Sequence, residues 1–144
     1  MKNLKVKYFM TPEPVFIAHD ATIQHAAKLM AKANCGFLPV GKPEFIEGVI
    51  TDRDLVVKAI AKGKKPTDEK ITEYITKFIF ACNEEDFLED AAEKMSEHHV
   101  SRLIVKNKKG KITGVLSFGS ILREHAFADD ITNAVKHATI RSTM

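Results

Sequence analysis

The stretch HAAKLMAKANCGFLPV (residues 25–40) decides the fold, because the chain contains it twice. Laid on DAAEKMSEHHVSRLIV (residues 90–105), it places Ala26 on Ala91, Ala27 on Ala92, Met30 on Met95 and Val40 on Val105, at a constant spacing of 65 residues. Beyond it, Gly48 falls on Gly114 at a spacing of 66, so the second copy carries one extra residue in its turn. GVIT (residues 48–51) then lies on GVLS (residues 114–117). Repetition at this period means one supersecondary unit used twice.

Each copy reads outward from that stretch in the same order. A short apolar segment comes first, VFIA (residues 15–18) and FIFA (residues 78–81). A helix follows. Ile23, Ala26, Ala27 and Met30 recur at spacings of three and four, as do Leu88, Ala91, Ala92 and Met95. Asp20 is the expected cap of the first helix, and Asn83 or Glu85 of the second. Two strands come next, FLPV with GVIT and RLIV with TGVLS, joined by turns holding Gly41 and Pro43, or Asn107 and Gly110. A second helix closes each copy. It runs over residues 52–62 with Gly63 as its stop, and from Ser117 to about Ala126 in the second copy.

The order is therefore β-α-β-β-α, twice. One such unit, about 55 residues long, is marginal alone, so two copies covering each other's apolar faces are expected as one α/β domain with pseudo-twofold symmetry. The expected division is residues 1–66 for the first repeat with its lead-in, 67–128 for the second, and 129–144 for a C-terminal helix and tail. GKKPTDEK (residues 63–70) reads as the linker, with residues 71–77 as the return into the second repeat.

Composition agrees with a globular chain: 144 residues, 44% apolar and 28% charged. A net charge of +3 is too weak to imply nucleic acid, and the lysines at positions 62, 64, 65, 106, 108, 109 and 111 read as two solvated loops. Cys35 and Cys82 form no CxxC and are expected as reduced, half-buried thiols. The first ten residues contain no apolar core of a secretory signal, and no run nears the roughly 20 apolar residues of a membrane helix. A cytoplasmic protein is the expectation. No GxxxxGK[ST], HExxH or justified Ser-His-Asp set occurs, so no enzyme is expected. His98 and His99 are adjacent and face different directions on a helix, with no third ligand at a metal-binding spacing; they read as a helix C-terminus. No metal site is expected.

The corner GVITDRDL (residues 48–55) crowds Thr51, Asp52, Arg53 and Asp54 onto a strand-to-helix turn. Unpaired N–H groups at a helix start favour an anion. Thr51 can cap the helix and offer its hydroxyl outward; Asp54 can accept two hydrogen bonds from a vicinal diol such as ribose. Spacing alone leaves a second reading open, in which these side chains are only caps and first-turn acids.

The doubled β-α-β-β-α unit, each ending in Gly-apolar-apolar-Thr/Ser, resembles a tandem pair of cystathionine-β-synthase (CBS) domains, a Bateman module. MTPEPVFI (residues 10–17) and HHVSRLIV (residues 98–105) are similar to that family's entry segment and central strand. The resemblance implies a regulatory module that binds an adenosine-containing ligand in the cleft between its repeats. AMP, ADP or ATP leads, with S-adenosylmethionine or NAD as alternatives and no cofactor. The family pattern Gly-apolar-apolar-Ser/Thr, two residues, Asp/Asn is complete from Gly48 to Asp54. It implies that Thr51 reaches phosphate and Asp54 holds ribose, with Asp52 and Arg53 beside them. By the same resemblance adenine packs on Val15, Phe16, Ile17, Phe37, Leu38 and Pro39, and Arg102 reaches phosphate. The second repeat departs from the pattern: Ser117 is kept but Ser120 replaces the carboxylate, which implies a weaker cleft. The resemblance further implies a homodimer formed through helices and an unidentified regulated partner. An interaction module without nucleotide is the alternative function.

Overall fold

The computed structural model describes residues 4–124 and Lys136. They form two compact units. One is Pro14–Ile79; the other joins Met1–Glu13 to Phe80–Met144. These units cut the chain differently from the sequence repeats. The lead-in, assigned above to the first repeat, packs in the unit built around the second.

In the Pro14–Ile79 unit, α1 spans Ile23–Ala33 and β2 and β3 span Phe37–Lys42 and Phe45–Thr51. The two strands form an antiparallel hairpin pairing Phe37 with Thr51 and Pro39 with Val49. Ile17 bridges Val40 in parallel on one edge, and Thr76 bridges Val49 in antiparallel on the other. The segment VFIA is thus a single bridge rather than a full strand. Ile17, Ile23, Ala26, Met30, Leu38, Ile50 and Leu55 fill the core. Ala27 lies outside it, exposed, although its counterpart Ala92 is buried.

The other unit repeats the plan with fuller strands. β1 (Thr11–Pro12), β6 (Ile112–Ser117), β5 (Arg102–Lys106) and β4 (Ala81–Asn83) form a four-stranded sheet in that order. α2 (Leu88–His98) covers it and α3 (Phe118–Arg123) follows β6. Both hairpins carry a register shift at the same repeat position, Val40/Gly41 and Val105/Lys106. Both first helices end in a left-handed residue, Asn34 and His99. The expected tail, residues 129–144, apart from Lys136, and the expected end of the last helix near Ala126 lie outside the described residues.

The glycines explain the sheet edges. A Cβ on Gly48 would stand 2.4 Å from the Thr76 carbonyl oxygen, and one on Gly114 would stand 2.4 Å from Met10 Sδ and 2.9 Å from the Thr11 carbonyl. Each repeat's glycine lets the connecting segment that leads into the other repeat lie against its last strand.

Helix starts are set by a local cap in the first repeat and by a tertiary contact in the second. Thr22, not Asp20, caps α1, accepting from the His25 N–H at 3.1 Å. The linker is pinned beside it: the Ile23 N–H donates to the Glu69 carbonyl and the Gln24 N–H to that of Pro66. α2 begins after Phe87 with no side-chain cap. Its Leu88 N–H donates at 2.7 Å to the carbonyl of Leu4 in the lead-in, which takes over the work expected of Asn83 or Glu85. Asn83 instead shapes the turn before the helix, accepting from the Glu85 N–H.

Candidate functional site

The strand β3 runs directly into helical backbone at Asp52, and the turns then widen to a π-helix over Asp54–Ala59. A 3-10 turn, Ile60–Lys62, closes it at Gly63, which adopts φ 76°, the left-handed stop foreseen in the sequence. Short π segments recur at functional sites.

At the start of that helix Thr51 and Asp54 cap each other. The Asp54 N–H donates to Thr51 Oγ1 at 3.1 Å, and the Thr51 N–H donates to Asp54 Oδ2 at 3.0 Å. Lys58 Nζ stands 2.9 Å from Asp54 Oδ1. The carboxylate is buried, yet both its oxygens are engaged. Asp52 is exposed; its Oδ1 accepts from the Arg53 N–H, and its carboxyl lies over Gly36, where a Cβ would be 2.4 Å from Oδ2. Arg53 is exposed.

The hairpin brings Phe37 opposite Thr51, and Ile17 beside Pro39 through an N–H to carbonyl bond of 3.0 Å. Val15 is exposed and Phe16 and Phe37 half-buried. The side chains of Ile17, Leu38 and Pro39 are buried, so these three can offer a base only their backbone.

The second repeat has the same corner in neutral form. The Ser120 N–H donates to Ser117 Oγ, the Ser117 N–H donates to Ser120 Oγ, and Ser120 Oγ donates to the Ser117 carbonyl. Ser120 is 1% exposed. Its hydroxyl has spent its one proton on the backbone. Arg102 is exposed and pairs in register with Ser117, as Phe37 does with Thr51.

A cavity of about 610 Å³ opens elsewhere, between α1 and the π-helix. Ala27, Met30, Cys35, Leu55, Val56 and Ile60 line it; Thr51 and Asp54 do not. Its rim carries a thiol that the sequence reading placed as half-buried and that is exposed. Cys82 is buried, and burial, with Asp86 nearby, pushes its thiol up to about 12. This groove was not foreseen. Its only sequence signal is the pair Val56 and Val57 on a helix whose inner face is already supplied by Leu55 and Ala59. Among the described residues no group of three potential ligands gathers for a metal, and no helix is long and apolar enough to cross a membrane. His98 stacks on Phe80, ring centroids 3.8 Å apart.

The repeated architecture and its two capped corners define a tandem module of small α/β repeats. The model of the CBS domain matches residues 6–60 and again 71–126, so the chain belongs to the CBS domain family and carries two copies. It is similar to the CBS domain-containing protein YhcV of Bacillus subtilis (strain 168), 29% identical over 116 residues that span 81% of each chain. Among solved structures it resembles the CBS domain pair of protein MJ0100, determined with 5′-methylthioadenosine and S-adenosyl-L-methionine. That match has a TM-score of 0.69 and 29% identity, covering 83% of this chain and 93% of that one. It also resembles CBSX2, an Arabidopsis thaliana protein determined with AMP, at a TM-score of 0.66 and 27% identity, covering 83% and 94%.

Proposed function

We propose that this protein is a regulatory module that binds an adenosine-containing ligand through the first-repeat corner and passes the bound state to a partner protein. Binding, not catalysis, is its work. The observation that carries the reading is the ionic corner itself: a buried carboxylate, Asp54, held at a helix start beside the Thr51 hydroxyl. That pairing suits a ribose diol and a phosphate. The AMP and S-adenosyl-L-methionine complexes of CBSX2 and MJ0100 support the ligand class. In this reading Val15, Phe16 and Phe37 contribute side-chain surface to the base.

The second-repeat corner binds more weakly or not at all. Ser120 is buried and neutral, and its proton is committed. A neutral hydrogen bond contributes about 0.5–1.5 kcal/mol against about 1.5–3 for a charged one, so a deficit of about 1–3 kcal/mol is expected.

The chain works as a homodimer in this proposal, with the groove between α1 and the π-helix covered by a second copy. Val56, Val57 and Ile60 are exposed beside it, and apolar patches of this kind mark association sites. Val56→Asp is expected to shift the particle mass from dimer to monomer in light scattering.

A second reading has the same hydrogen bonds in its favour: Thr51 and Asp54 act only as a capping box, and the module binds proteins rather than nucleotide. Asp54→Asn separates the two. Calorimetry with AMP, ADP, ATP, S-adenosylmethionine and NAD on the wild type gives one site per chain under the first reading, and Asp54→Asn removes it. Failure of the whole panel to bind the wild type leaves the interaction reading standing.

A further inference from the structure

We infer that Lys58 is a competitor built into the first-repeat corner: it occupies the Asp54 oxygen that a vicinal diol needs and so sets how tightly the corner holds its ligand. The inference rests on the reading that Asp54 receives a ribose. A carboxylate grips a diol by accepting one hydroxyl on each oxygen. Oδ2 already accepts from the Thr51 N–H at 3.0 Å, a bond made by the helix start itself, and keeps a second lone pair for one hydroxyl. Oδ1 stands 2.9 Å from Lys58 Nζ. The two ends of that pair differ: the Asp54 side chain is 9% exposed and that of Lys58 49%. The lysine is a hydrated charge on a flexible stem and can return to water at small cost, whereas the carboxylate stays where it is. Lys58 is therefore the partner a diol displaces.

The repeats differ in the matching way. Where the first has Asp54 and Lys58, the second has Ser120 and Glu124 at the same spacing of 66. The carboxylate and its cation occur together in one repeat and are absent together from the other. In the free protein the lysine offsets the cost of holding an ionised carboxylate in a buried place. The ligand's hydroxyls take over that service on binding.

The test is calorimetric titration of the full chain with adenosine, which has no phosphate for a lysine to attract. Lys58→Met is expected to tighten adenosine about two- to fivefold, the factor that a half-exposed ion pair can set. Its effect on 2′-deoxyadenosine, which lacks the diol, is expected to be smaller. Position 58 is exposed, and a thermal melt of the variant checks that the fold is kept. Unchanged or weaker adenosine binding by Lys58→Met, with binding abolished by Asp54→Asn, overturns the role of Lys58 and leaves the ribose reading intact. Asp54→Asn titrating as the wild type does, whether both bind or neither does, overturns the ribose reading and this inference with it.

Discussion

Ser120 and Asp54 occupy one position in two copies of the same corner, and each closes a reciprocal cap with the hydroxyl residue three places before it. The cap works with either side chain; the charge is the difference. Ser120→Asp puts a carboxylate into a buried place where the residue four positions on is Glu124 instead of a lysine. The single variant is expected to lose about 1–3 kcal/mol of stability in denaturant melts, as a poorly compensated buried charge does. Ser120→Asp with Glu124→Lys restores the cation and should recover part of that loss. If the ligand reading holds, the double variant also raises the calorimetric stoichiometry from one AMP per chain toward two. Gly48 gives a purely steric prediction. A methyl there meets a backbone carbonyl at 2.4 Å, so Gly48→Ala is expected to cost about 1–3 kcal/mol. Gly114→Ala is expected to cost less, because its nearest obstacle is the flexible Met10 side chain, although the Thr11 carbonyl at 2.9 Å still requires a small shift.

Among the elements, the lead-in shows how an exposed-looking segment is fixed. Val6 is fully buried, while Lys5 and Lys7 on either side of it both pair with Glu85 at 2.8 Å. Backbone bonds from Val6 and Lys7 to the carbonyls of Asp86 and Glu84 complete the seam. The hydrogen bonds from Lys5 and then Lys7 hold the Glu85 carboxyl down at about 2, below its ordinary 4.5. A carboxyl depressed on folding adds stability above its unfolded value and loses it as pH falls toward the folded one. The contribution of Glu85 is therefore complete above about pH 5 and gone near pH 2. Glu85→Gln is expected to melt below the wild type at pH 7, and the gap should narrow when both are melted at pH 2.5. This seam was illegible in the sequence, because nothing local ties residues 5–7 to residue 85. What was legible was local or periodic: both hairpins, both three-turn helices and the Gly63 stop. The first helix cap was misplaced because Thr22 rather than Asp20 stands at the N-cap, and the second because Leu4 in the lead-in supplies the partner that propensity would assign to a nearby side chain. Of the candidate site, the spacing of Thr51 and Asp54 pointed to a helix start and left the cap and ligand readings both open. Lys58 fits the ordinary pattern of a helix-surface lysine, and only the fold shows that it is paired with a buried carboxylate.

At the scale of the whole chain, the two compact units are built by exchange of connecting segments. The segment before the first repeat edges the sheet of the second, through the pairing of Thr11 with Val115. The segment before the second repeat edges the hairpin of the first, through the pairing of Thr76 with Val49. One unit is therefore continuous, Pro14–Ile79, and the other is not. Cutting the chain between sequence repeats leaves each half without its edge. A fragment of residues 1–66 lacks Ile71 and Tyr74, two buried members of the first core. A fragment of residues 67–124 lacks Val6 and Phe9, two buried members of the second. Neither is expected to melt cooperatively by far-UV circular dichroism. The fragment of residues 14–79 keeps all of its core and both of its edge bridges and is expected to melt cooperatively, with the low midpoint of a small core. Residues 67–124 should gain a cooperative melt when a peptide of residues 1–13 is added, in proportion to its concentration, since binding to the folded form alone shifts the equilibrium by mass action. A cooperative transition for residues 67–124 without the peptide would mean that the lead-in is an ornament on that unit rather than one of its strands.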